Sequence, residues 1–69
     1  MAKAYIPPKT AHLISSLGLS EATVFDVFNH GEQRKGTTKM IKKYSGYTIQ
    51  VTYIQSQSGE YIITWVSKW

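Results

Sequence analysis

Two kinds of hydrophobic spacing divide this chain of 69 residues. Up to Gly31 the apolar positions recur at helical intervals, and from Thr37 onward they alternate as in strands. In "KTAHLISSLG", Leu13, Ile14 and Leu17 fall on one side of a short helix that Gly18 ends, after an extended lead-in fixed by Pro7 and Pro8. In "LSEATVFDVFNHG", Ser20 can cap the first free amides, Glu21 suits the positive helix end and Leu19 can staple to Val24. Val24, Val27 and Phe28, widened by Phe25, make the apolar stripe of this second helix, and Gly31 closes it.

Three strands are predicted next, over residues 37–44, 47–55 and 60–68. Ser45-Gly46 joins the first two as a two-residue hairpin, and "SQSG" joins the second and third. A short strand at Ala4 to Ile6, beside the last strand, is left open. The expected fold class is therefore α+β: two short helices on one face of an antiparallel sheet of three strands, or four, in a single domain over residues 1–69, with 1–6 either loose or forming that first strand.

Alternation sorts the sheet into faces. Tyr47, Ile49, Val51 and Tyr53 are expected under the helices, and Thr48, Gln50 and Thr52 on the other side. If Ser45-Gly46 is the whole turn, Tyr44 opposes Tyr47 and Lys42 opposes Ile49, so Lys39, Ile41 and Lys43 join the polar set. The last strand breaks the rule: Tyr61, Ile63 and Trp65 alternate with Ile62, Thr64 and Val66, which makes it apolar on both sides. Two short helices cover one side of a sheet, so an apolar patch should stay open beside the threonines unless another segment covers it. That patch reads as a binding face, a self-association surface, or the underside of an N-terminal cover.

Composition adds limits. Without cysteine, neither a disulfide nor a cysteine-based metal site can hold the fold, so stability must come from an aromatic-rich core. No metal-ligand spacing, phosphate loop or nucleotide fingerprint is present, and no cofactor is expected. No apolar run is long enough to span a bilayer and the start lacks a secretory signal, so the expected location is cytoplasmic, away from membranes.

The formal charge is +4, and five of the eight cations, Arg34, Lys35, Lys39, Lys42 and Lys43, fall in one short stretch. No carboxylate occurs between Glu32 and Glu60. Such a stretch favours a polyanion or an acidic protein, or it is a lysine-rich edge that discourages aggregation. His12 points away from the apolar stripe of the first helix, and the dipole at the end of the second favours charged His30. Ribonucleases without a metal need a proton acceptor, a proton donor and cations around the phosphate, all of which His, Lys, Arg and Tyr can supply.

The order of residues in "AHLISSLGLSEATVFDVFNHGEQRKG", "KKYSGYTIQVTY" and "EYIITWVSKW" resembles a group of small, mostly uncharacterised bacterial domains near the RelE/ParE-like toxins. His12 takes the place of their first-helix histidine, "GLSEATV" their second-helix start, Arg34 the polar residue before the first long strand, and Thr64 and Trp65 part of the final-strand run. Ser16 stands where those domains often carry an arginine, which removes one expected cation. The resemblance implies a sheet whose open side meets RNA, a topoisomerase or an antitoxin.

Two functions are therefore expected. One is a toxin-like domain that binds RNA and cleaves it without metal, His12 and Arg34 taking the catalytic roles. Arg34, Lys39 and Lys43 would hold phosphates, Thr48, Gln50, Thr52 and Thr64 would line the face, and Lys35 and Lys68 would join them in binding RNA or a partner. The other is a non-enzymatic module that binds an acidic protein such as an antitoxin, or forms a homodimer.

Overall fold

The computed structural model describes residues 4–69 and is an α+β fold of two helices and a five-stranded mixed sheet. The chain runs β1 (Ala4–Tyr5), α1 (Pro8–Ser16), α2 (Glu21–His30), β2 (Glu32–Gln33), β3 (Lys39–Tyr44), β4 (Tyr47–Gln55) and β5 (Tyr61–Lys68). Strand order across the sheet is β1-β5-β4-β3-β2. Expectations for residues 1–3 fall outside the described residues.

Both helices form where their signals lie. Pro7 is the N-cap of α1, and Pro8 supplies a pre-set φ in the first turn, where its missing amide costs nothing. The Oγ of Ser20 accepts the Thr23 amide at 3.2 Å and starts α2. The hairpin register is as expected, with Tyr44 opposite Tyr47 and Lys42 opposite Ile49, and Gly46 turns the chain at φ 89°.

The sheet departs from expectation in number and direction of strands. Ala4 and Tyr5 pair with Tyr61 and Ile62 in parallel, so the sheet is mixed. Glu32 and Gln33 add a further strand against Ile41 and Met40. This strand has no apolar residue to announce it; it forms because α2 delivers the chain directly onto β3. At that junction Gly31 is so close to both elements that a Cβ would lie 2.5 Å from the Val27 carbonyl oxygen and 2.8 Å from that of Ile41.

A register shift between Thr52 and Tyr53 resolves the two-sided apolar pattern of the last strand. Tyr53 opposes Ile63 and Thr52 opposes Trp65, which leaves Thr64 as an extra residue in β5. The bulge changes the parity of the strand. Ile63 and Val66, three apart, are both fully buried beneath the helices, while Ile62 and Trp65 face the other way. The buried hydroxyl of Thr10, on α1, donates to the Ile63 carbonyl at 2.9 Å and ties the helix to the bulged strand.

The core is a single layer between helices and sheet: Ile14, Val24, Val27 and Phe28 from above, and Ile49, Val51, Ile63 and Val66 from below. Phe28 meets Tyr53 and Tyr61 edge-on, with ring centroids 5.3 and 5.4 Å away. Among the described residues, the side of the sheet opposite the helices has no such layer.

Candidate functional site

Strand pairing places the side chains of the uncovered face in rows across the sheet. Trp65 lies beside Thr52, which lies beside Lys39; Ser67 lies beside Gln50, which lies beside Ile41 and then Glu32. Reciprocal backbone bonds between Thr48 and Trp69, at 2.7 and 3.0 Å, extend the ladder by one rung. A third row, Trp69, Thr48, Lys43, follows from that rung and from the β3 register. At the far end Tyr5, Ile62 and Ile54 make an apolar row.

Among the described residues the large hydrophobic side chains most exposed to solvent are Tyr5 (57%), Ile54 (49%), Trp65 (56%) and Trp69 (61%). By register all four belong to this one face. Arg34 joins them: the turn after β2 is closed by the Arg34 amide on the Lys39 carbonyl (2.9 Å) and by the Thr37 hydroxyl on the Arg34 carbonyl (2.7 Å). Its Nη1 then donates to Gln50 Oε1 at 3.1 Å, in the middle of the face. Lys35 is exposed in the same turn.

The other expected residues lie elsewhere. His12 is exposed on α1 in a shallow depression with Pro8, Ala11 and Ser15, in the helical layer. The sheet therefore stands between His12 and Arg34, and the two do not form one site. Lys68 also belongs to the helical side, because the bulge at Thr64 shifts its parity. Its ammonium sits 5.2 Å from the Tyr47 ring centroid and 3.4 Å from the Leu17 carbonyl oxygen. Thr64 is exposed at the bulge, with its hydroxyl on the Thr52 carbonyl at 3.3 Å.

Lys42, by contrast with Lys39 and Lys43, is spent on structure. It points toward α2, where Asp26 Oδ2 accepts from its ammonium at 2.5 Å and from the Tyr44 hydroxyl at 2.6 Å. Tyr44 in turn stacks on Tyr47 with ring centroids 5.2 Å apart. The bond from Lys42, and then that from Tyr44, holds the Asp26 carboxyl below its usual range. Burial, and then the bond to Asp26, pushes the Tyr44 phenol up to about 12. Both residues belong to the packing of α2 on β3, on the side away from the exposed tryptophans.

These shifts have opposite consequences for stability. Asp26, depressed in the fold, contributes stability above its ordinary value of 3.8 and loses it as pH falls through the lower folded value. Tyr44, raised from 10.0 to about 12, contributes in full below about pH 10 and loses that contribution as pH climbs through about 12. In an alkaline titration followed by tyrosinate absorbance, one of the five tyrosines should ionise near pH 12, and Tyr44→Phe should remove that late component. A late component that survives in the variant would assign it to another ring.

The sequence placed Thr48, Gln50, Thr52, Lys39 and Lys43 on the face but missed Tyr5, Ile54 and Trp69, and left the side of Trp65 undecided. The alternation that begins at the Ser45-Gly46 turn already puts Ile54 with Thr52, and counting the second hairpin back from Gly59 is what the bulge defeats. No helix of the described residues is long and apolar enough to cross a membrane. Compared with protein families, curated proteins and solved structures, the chain matches none of them.

Proposed function

We propose that this domain binds RNA through the open face of its sheet. The observation that carries the reading is the sharing of one face by exposed tryptophans and by cations that, among the described residues, form no ion pair. Trp65 and Trp69 stand in the same rows as Lys39 and Lys43, and Arg34 reaches over Gln50 between them. Aromatic planes and cations interleaved on a sheet suit a chain of bases joined by phosphates. A short strand, two helices and an antiparallel meander with one bare side also support a RelE/ParE-like arrangement, in which that side is the working surface of a toxin-like domain. Binding is the activity proposed; the separation of His12 from Arg34 gives cleavage by that pair no shared centre.

A second reading has its own support. Tyr5, Ile62, Ile54 and Trp65 make a continuous apolar end to the face, and among the described residues β1 pairs with β5 only at Tyr61 and Ile62. An acidic protein such as an antitoxin, or a second copy of the chain, would bury that end and add a strand to the edge.

Salt separates the two. If Arg34, Lys39 and Lys43 each meet a phosphate, affinity for a short single-stranded RNA should fall with a log–log slope of about −2, and each Lys→Ala change should reduce the slope by about 0.7. Fluorescence anisotropy with a labelled oligonucleotide reads this directly. Absence of RNA affinity at low salt, together with salt-insensitive association with protein, would replace the first reading by the second.

A further inference from the structure

Two of the rows on the open face have the same composition. Trp65, Thr52 and Lys39 cross β5, β4 and β3 in register, and Trp69, Thr48 and Lys43 cross them again four residues away along each strand. Between the two rows lies a third, of Ser67, Gln50 and Ile41, in which the Gln50 amide is held by Arg34. Each outer row presents an aromatic plane, a hydroxyl and an ammonium in the same order across the sheet.

The spacing restricts what can fill both rows. Four residues of strand cover about 13 Å. A stacked nucleic-acid strand advances about 3.4 Å per nucleotide, so adjacent bases of a stack cannot reach two rings that far apart. A duplex is worse matched, because its base planes are already occupied by their neighbours and turned inward. An unstacked strand satisfies the geometry: one base lies on Trp65, another on Trp69, and the strand between them passes over the central row. Its phosphates run on the side of Lys39 and Lys43.

From this repetition we infer that the face is a two-ring platform for splayed single-stranded RNA, with the Gln50 amide and Ser67 hydroxyl set to bond the edge of a base held between the rings. The inference rests on the proposed RNA binding and names the form of RNA. Ile41 follows Gln50 as an apolar step in the central row, and Glu32 on β2 ends the row beyond it, so the polar groups nearest a base held between the rings are Gln50 and Ser67, with the Glu32 carboxylate at the outer edge.

The protein carries its own reporter, since its two tryptophans are the two rings. Intrinsic fluorescence would be titrated with an oligouridylate and with an RNA hairpin stem carrying the same number of phosphates. The expected result is saturable quenching by the single strand, weak or no quenching by the stem, and a loss of affinity of roughly tenfold in each of Trp65→Ala and Trp69→Ala. The losses should multiply in the double variant, because the rings are independent at that distance. Equal binding of stem and single strand, or single-strand affinity unchanged in both variants, would overturn the two-ring platform while leaving RNA binding through the cations intact. Binding of neither RNA at low salt would sink the underlying reading as well. Folding of the variants, whose rings are exposed, is checked by circular dichroism.

Discussion

Phe28→Ala is expected to abolish the cooperative unfolding transition of this domain. Phe28 is 7% exposed, and its ring is the meeting point of α2 with Tyr53 of β4 and Tyr61 of β5. Removing it deletes two edge-to-face contacts and leaves a cavity where the helical layer rests on the sheet. Truncations of this kind cost about 3–5 kcal/mol. A domain of 69 residues has roughly 3–10 kcal/mol in total, so the loss takes much or all of it. Thermal denaturation followed by circular dichroism should show a broad, low-amplitude change in place of a sigmoid. Phe28→Leu fills more of the space and should keep a transition at lower temperature. A Phe28→Ala protein that melted within a few degrees of the parent would mean that Tyr53 and Tyr61 close the gap unaided.

Gly31→Ala should be nearly as damaging, for a different reason. The backbone of Gly31 is extended at φ −74°, a conformation that alanine adopts freely, so conformational preference has no part in the effect. What forbids a side chain is the backbone on either side: the carbonyl of Val27 ends α2, the carbonyl of Ile41 belongs to β3, and neither is the mobile tip of a side chain. Accommodating a methyl group means moving the last turn of the helix away from the sheet, which strains the two-residue β2 that starts immediately after it. Overpacking of this sort costs about 1–3 kcal/mol, and a rigid surrounding places it at the upper end. Urea denaturation would measure it. A cost below about 0.5 kcal/mol would show that the helix end yields easily.

The two substitutions illustrate which parts of the structure can be read from the chain. Elements whose cause is local were legible. Ser20 three residues before Thr23, prolines ahead of the first helix and Ser45-Gly46 between alternating runs each fix their own neighbourhood. The hairpin register followed from the turn and sorted seven residues of β4 onto their faces correctly. Features whose cause is distant were not legible. Glu32 and Gln33 form a strand only because Gly31 allows the chain to meet β3, and nothing in their own composition asks for pairing. Asp26, Lys42 and Tyr44 are separated by 16 and 18 positions and meet because α2 crosses β3. That meeting takes Lys42 out of the basic group that the sequence shows as a run.

For the site, the middle of the face was legible and its rim was not. Thr48, Gln50 and Thr52 belong to a strand whose alternation is unbroken, and Lys39 and Lys43 are tied to them by the hairpin. Trp65 and Lys68 both lie beyond the parity change at Thr64, so an alternation counted from Tyr61 and Ile63 assigns each to the wrong side. Assigning Lys68 to the face and leaving Trp69 out are the two errors that an unbulged β5 produces. His12 was placed with Arg34 by likeness of residue order, which carries no information about the side of the sheet on which each will stand.

The extra residue at Thr64 makes the last strand sensitive to its length as well as its composition. Upstream of it, odd-numbered residues face the helices; downstream, even-numbered ones do. Losing that one residue would leave every side chain chemically unchanged yet ask the sheet to choose between burying Trp and burying Val, with Lys68 and Ser67 exchanging sides as well. A deletion there is in effect a frameshift written in side-chain direction. The tryptophans remain outward-facing only as long as one threonine is left uncounted by the neighbouring strand.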